Sequence, residues 1–308
     1  MLPFRLVYHE GYDLNLGGHI FPSQKYRLMR CRLIQEGFAR NADFIEPAAA
    51  NDEELLLVHS TEWIQKLKTG ALAGHEIVKL EIPYSQKMVE AFWLAAGGTA
   101  LAGRLALQHG IGFNVGGGFQ HGFRGHGEGF CAINDVAVAV RTLQREGSIK
   151  TAMVVDCDVH HGNGTAAIFS GDDSVFTFSI HQFNNYPSVK PSSNVDLHLP
   201  DGAGDAEYCA QLDAGLRLAF THFHPDLVVY VAGADPYYQD RLGGLTLTFD
   251  GLWKRDWLVM GTALQHGAVV AVTLGGGYAL RMQDTVTIHI NTAKVAKELL
   301  EKANWQPK

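Results

Sequence analysis

Six short runs of apolar and β-branched residues constrain the fold most: FRLVYH (4–9), IGFNVG (111–116), TAMVVD (151–156), SVFTFSI (174–180), DLVVYVAG (226–233) and AVVAVTLG (268–275). They are near-continuous rather than alternating, the pattern of strands covered on both faces in a parallel sheet. Parallel strands need crossover segments, and helical spacing fills the gaps at 23–39, 85–109, 206–223 and 292–303. The first of these opens with a capping serine, Ser23, and the second is interrupted at Gly97-Gly98. Strands alternating with helices predict an α/β chain, a single three-layer α/β/α domain over residues 1–308 with a mostly parallel central sheet. No internal repeat, low-complexity segment or linker divides it. The polar, turn-rich stretch 184–202 reads as a long surface loop following a strand.

A chain of 308 residues, 46% hydrophobic and 19% charged, buries a large core without a disulfide or structural metal. Its formal charge of −7 argues against a nucleic-acid partner, which calls for a basic face. Cys31, Cys131, Cys157 and Cys209 lie far apart with no CxxC spacing, the usage of reduced thiols in a cytoplasmic protein. The opening MLPFRLVYHEGYD has no basic region followed by an apolar run, so no signal peptide is expected. No apolar stretch approaches the roughly 20 residues of a membrane span.

Ligands of parallel sheets bind outside the carboxyl ends of the strands. Here five strand ends are chemically loaded: GGFQHGFRGHGEGFC, CDVHHGNG, HQF, ADPYYQDRLGG and GGYALR. Asp158 and His160 are two apart, so on extended backbone they project to one side. Asp235, after VVYVAGA, is the candidate third ligand from another strand end. Two carboxylates and one imidazole hold a divalent ion and leave a position open for water and substrate. The competing reading is a hydrogen-bonded network at a strand end. His181 reads as a structural histidine. The runs VGGGF and LGGGY lack the spacing of nucleotide-binding loops, so their glycines read as sites of close backbone approach.

In this order, DCDVHHGNG, GGFQHGFRGHGEGFCAIND, AGADPYYQDRLGGL and LGGGY resemble the histone deacetylase family with its arginase-like fold, closest to class IV and the bacterial relatives. The resemblance runs from LVYHEGYD to about residue 295. It implies zinc on Asp158, His160 and Asp235, in agreement with the reading from spacing. It implies His121 as general base and acid, Tyr278 as the donor to the oxyanion, and Asp156 and Asn163 as partners of the 120–121 pair. A potassium ion is implied beside Ser179 and the backbone of Asp156, Asp158 and His160. Phe130, Gly129 and Gly276 are implied to line an acyl-lysine tunnel. The expected activity is hydrolysis of acyl-lysine, in a peptide or protein, or of a small N-acyl amine.

The family normally carries two adjacent histidines where this chain has Gln120-His121. Glutamine donates a hydrogen bond but cannot become cationic, so an active site with altered turnover is expected. A protein that keeps the zinc pocket only to bind acylated ligands is the alternative. A two-metal ureohydrolase would need further bridging carboxylates where His161 and Asn163 stand. Iron could occupy the same ligands as zinc.

Overall fold

In the computed structural model, which describes residues 2–303, eight strands form one sheet. They are β1 (Arg5–Val7), β2 (Phe44–Ile45), β3 (Ile111–Asn114), β4 (Ala152–Asp156), β5 (Val175–Gln182), β6 (Val195–Leu199), β7 (Leu227–Val231) and β8 (Val269–Thr273). Their order is β2-β1-β3-β8-β7-β4-β5-β6, and every pair is parallel. The central strands β4, β7 and β8 are buried at every residue, which is why their sequences are apolar throughout. The five strands with loaded ends, β3-β8-β7-β4-β5, are consecutive neighbours, so their carboxyl ends make one continuous edge.

Helices cover both faces, and several depart from the sequence expectation. The helix Gln86–His109 is continuous through Gly97-Gly98. Those glycines sit where the Ala48 carbonyl and the Tyr12 hydroxyl press against the helix, leaving no room for a Cβ. Ser23 does not cap the first helix, Lys25–Gln35; its hydroxyl donates to Asp13 at 2.5 Å. The last helix begins ten residues earlier than its apolar spacing suggested, at Met282. The expected loop 184–202 contains the edge strand β6, whose VDLHL alternation is that of a half-exposed strand. Helices Asp135–Arg145 and Phe249–Gln265 were not anticipated. No helix among the described residues is long and apolar enough to cross a membrane.

A set of buried polar residues ties the strand-end loops down. Asn134 caps its helix through the Ala137 N–H at 2.8 Å and donates to the Gly122 carbonyl at 3.2 Å and to Thr165 at 2.9 Å. Asp135 accepts the Gly118 and Phe119 N–H groups at 3.0 and 2.7 Å. Arg255, wholly buried, donates to the Gly233 carbonyl and is held by Asp256 at 2.8 Å. His59 bridges two segments: Nδ1–H donates to the Phe123 carbonyl at 2.9 Å and Nε2 accepts the Asn134 N–H at 3.1 Å.

That last pairing demands a neutral imidazole. Burial pushes the His59 pKa down from 6.5 to about 4 against the pull of its carbonyl partner. The folded protein therefore binds fewer protons there than the unfolded chain, so stability is lost as pH falls from about 6.5 toward about 4. His59→Gln keeps a donor and an acceptor but cannot titrate. Urea unfolding at about pH 7.5 and about pH 4.5 should show the wild type losing more stability on acidification than the variant, by up to about 3 kcal/mol.

Candidate functional site

Three of the predicted residues meet at the sheet edge. Asp158 and His160 follow β4 and Asp235 follows β7, and one ligand atom from each lies within 4.8 Å of the others. His160 Nδ1 is 3.0 Å from Asp158 Oδ1 and 3.5 Å from Asp235 Oδ2. The outer carboxylate oxygens are spoken for: Asp158 Oδ2 accepts the Gly276 N–H at 2.7 Å, and Asp235 Oδ1 accepts the Val159 N–H at 2.9 Å. Those bonds aim Asp158 Oδ1 and Asp235 Oδ2 toward the imidazole. Asp235 Oδ2 is buried and accepts no well-formed hydrogen bond; its one polar neighbour is the His160 ring nitrogen at 3.5 Å. An orphaned carboxylate oxygen beside a second carboxylate and an imidazole fits a divalent cation and suits a closed network poorly.

The protonation preferences agree. Burial and the like charge of Asp158 raise the Asp235 pKa, whereas the His160 imidazole lowers that of Asp158 despite burial. Burial opposes charge on His160, yet hydrogen bonds and charge from both aspartates raise its pKa to about 10. Two buried carboxylates thus call for positive charge between them, which a bound cation would supply in place of a proton on His160.

His121 stands beside this trio, its ring 6.0 Å from that of His160. Its Nδ1 is 2.6 Å from Asn163 Oδ1, and its Nε2 lies 3.4 Å from the Gln120 amide nitrogen. Nδ1 therefore carries the proton and Nε2 the lone pair. Burial, reinforced by His160, lowers the His121 pKa to about 4. Asp156 accepts the Asp158 N–H at 3.0 Å and has no hydrogen bond to Gln120; Asp156 Oδ2 and Gln120 Oε1 are both buried without partners. Of the two expected partners of the 120–121 pair, only Asn163 makes that contact.

A pocket of about 210 Å³ opens onto the trio, lined by His121, Gly129, Phe130, His160, Tyr186 and Tyr278 among others. It is below the roughly 300–1,000 Å³ typical of drug-sized ligands and suits a single narrow chain. Phe130, with φ 68°, follows Gly129, with φ 52°. Glu128 and Cys131 close this two-residue turn through backbone hydrogen bonds of 3.2 and 2.9 Å. A phenylalanine held at positive φ is strained, and here the turn directs its ring to the pocket wall. Tyr278 faces it, with ring centroids 6.0 Å apart. Burial, with Asp158 and Asp235 nearby, raises the Tyr278 pKa well above its usual value, so the hydroxyl is a donor. Gly276 lies not on that wall but behind the carboxylates, where a Cβ would strike Asp235 Oδ2.

Ser179 is buried opposite Asp156 in the β4–β5 register, and its hydroxyl meets His181 Nδ1 at 2.9 Å. His181 Nε2 meets His198 Nδ1 at 2.9 Å, while His161 Nε2 meets Asp196 at 3.0 Å. His161, His181 and Asp196 lie close enough together to hold an ion. Their facing nitrogens are already paired, however, and His161 Nδ1 has no acceptor to support a metallated ring. Both His181 ring nitrogens are engaged, by Ser179 and by His198.

Sequence reasoning missed three residues. Lys25 is wholly buried, donates to the Gly275 carbonyl at 2.7 Å, and feels the charges of Asp235, Asp158 and Asp240. Asp240 holds the Tyr278 N–H at 2.6 Å. Glu128 accepts from Asn163 at 2.6 Å. Asp240, in ADPYYQDRLGG, and Glu128, in GGFQHGFRGHGEGFC, lie within motifs the sequence marked, whereas Lys25 carried no signal.

The comparisons agree with this architecture. The histone deacetylase domain model matches residues 19–293. An uncharacterised protein of Picosynechococcus is 39% identical over 297 residues, 96% of this chain and 99% of the relative. Histone deacetylase 2 of Arabidopsis thaliana is 30% identical over 286 residues, 89% of this chain and 74% of its own length. The crystal structure of the HDA15 HD domain superposes with a TM-score of 0.78 at 25% identity, covering 97% of this chain and 92% of that one.

Gly276→Ala tests the carboxylate cradle. The added methyl collides with Asp235 Oδ2 and pushes on Asp158 Oδ2, so the trio must spread. Isothermal titration of metal-free protein with Zn²⁺ should show affinity at least ~10-fold weaker than wild type, with a stability loss of about 1–3 kcal/mol from overpacking.

Proposed function

Because this chain belongs to the histone deacetylase family, we propose that it is a zinc-dependent hydrolase that releases acyl groups from acyl-lysine or a related N-acyl amine. Asp158, His160 and Asp235 would hold the zinc. The buried Asp235 Oδ2, which accepts no well-formed hydrogen bond and faces His160 at 3.5 Å, is the observation that carries this reading. Bound there, zinc supplies Lewis acidity toward an amide carbonyl and lowers the pKa of water from 15.7 to about 7.

The chain's own residues do the rest. With Nδ1–H donated to Asn163, His121 Nε2 is the basic atom facing the pocket, and its depressed pKa leaves it free to accept a proton at neutral pH. It takes that proton from the attacking water and returns it to the departing amine. Tyr278 stays protonated and donates to the developing oxyanion. Gln120 contributes an uncharged amide donor beside Nε2. Phe130 and Gly129 flank the passage for the lysine stem, and the small pocket confines it. A potassium ion near Ser179 and the carbonyls of Asp156, Asp158 and His160 belongs to the same reading.

The second reading, a protein that binds acylated ligands without hydrolysing them, has one observation in its favour: glutamine at 120 removes a charge that the family's histidine pair can carry. One experiment separates them. Zinc-loaded protein is incubated with one lysine peptide carrying acyl chains from acetyl to myristoyl, and free lysine is measured. Deacylation should occur with a defined chain-length optimum, and Tyr278→Phe should lower kcat by roughly 10²–10³-fold. Hydroxamate binding without amine release from any chain would overturn the hydrolase reading in favour of the binding protein.

A further inference from the structure

The unexplained residue at this site is Glu128. Burial works against its charge, but His126, Lys79, Tyr186 and Asn163 all bond to it and hold the carboxyl down at about 2. Its two oxygens face different ways. Oε2 meets Lys79 Nζ at 2.7 Å and His126 Nε2 at 3.2 Å, toward the protein surface. Oε1 accepts the Tyr186 hydroxyl at 2.9 Å and the Asn163 amide N–H at 2.6 Å, toward the pocket. Asn163 Oδ1 in turn accepts from His121 Nδ1 at 2.6 Å.

An asparagine side chain reads the same in either orientation unless its partners distinguish the two ends. Here they do. Turning the amide over would set Oδ1 against the Glu128 carboxylate and the amide N–H against His121 Nδ1. The first contact is repulsive. The second would shift the imidazole proton to Nε2 and remove the lone pair that faces the pocket. The charge of Glu128 therefore selects the amide orientation, and the amide orientation selects the tautomer.

We propose that Glu128 is the remote anion of the proton-transfer machinery, a positioning residue that acts through Asn163 to keep the His121 lone pair on Nε2. This rests on the hydrolase reading for its catalytic consequence, though the tautomer itself does not. The chain Lys79–Glu128–Asn163–His121 places a neutral amide next to the imidazole and the carboxylate one residue further out. Asn163 relays polarity and transfers no proton.

The arrangement makes a demanding prediction, because the charge can be moved inward. Glu128→Gln should lower kcat by roughly 10–100-fold on the best acyl-lysine peptide, with KM within a factor of about two. Asn163→Asp alone sets two carboxylates in hydrogen-bond contact and should lower both thermal stability and activity. The double variant E128Q/N163D puts one carboxylate directly on His121 Nδ1 and an amide behind it, and should recover most of the wild-type kcat. A merely structural Glu128 has no reason to be rescued by a charge at 163. In parallel, ¹⁵N NMR of the His121 ring in metal-free protein should show the Nδ1–H tautomer in wild type and in the double variant. E128Q should show a mixture.

Unchanged kcat and tautomer in E128Q, or a double variant no better than E128Q, would overturn the assignment. If E128Q alone does not fold, the comparison of N163D with E128Q/N163D decides: the same stability and activity in both would likewise sink it. Absence of amine release by the wild type from every peptide would instead sink the hydrolase reading, with the NMR arm still reporting on Glu128.

Discussion

Asp158 and Asp235 lie side by side at the carboxyl edge of a parallel sheet, and almost every local feature around them follows from that. Buried carboxylates are tolerated only where hydrogen bonds and opposite charge replace water. Each aspartate gives one oxygen to a backbone N–H from a different loop, Gly276 after β8 and Val159 after β4. The loops are thereby fastened to one another through the acids themselves. The close approach this needs leaves no room for a Cβ at Gly233 or Gly276, so the glycine content of the strand ends is a packing requirement. Positive charge comes from the buried Lys25 and from His160, and one Asp235 oxygen still accepts no well-formed hydrogen bond.

Around that centre sits a wider ring of buried polar side chains that fasten the strand-end loops. Arg255 reaches the Gly233 carbonyl while Asp256 is shared with Tyr230 at 2.5 Å and Thr292 at 2.7 Å, so the β7 exit is anchored to two helices. Asn134 and Asp135 do the same for the segment bearing Gln120 and His121. Such networks contribute little net stability, since desolvation offsets much of the gain, but losing one member leaves another buried and unpaired. They specify the loops' geometry more than they stabilise the fold.

The core strands and the meeting of Asp158, His160 and Asp235 were legible because a parallel sheet writes both as uninterrupted patterns: apolar runs, then acids and histidines at their ends. Where local signals conflict, the reading failed. The segment DVAVAVRTLQR alternates β-branched and small residues as a strand does, yet its Asn134 cap and packing make it a helix. VDLHL was hidden in a polar stretch because an edge strand shows only half its face to the core. Lys25 looks like any surface lysine at a helix start, and nothing local shows that it is buried within the field of three aspartates. Glu128, in a glycine-rich loop, looks solvated until the Gly129-Phe130 turn brings it inward. Long-range electrostatics leaves no periodicity to find.

The two amides at this site, Gln120 and Asn163, are linked through the ring they flank. With glutamine at 120, His121 is the one ring on that side able to take a proton, and burial together with His160 makes its cation costly. Asp158, Asn163 and Glu128 pull the other way. Burial keeps the unprotonated form dominant, while Glu128, paired with Lys79, supplies a more distant attraction for the imidazolium. Glu128 closes the Gly129-Phe130 turn, so the partner of Asn163 and the Phe130 wall of the pocket lie on the same short element.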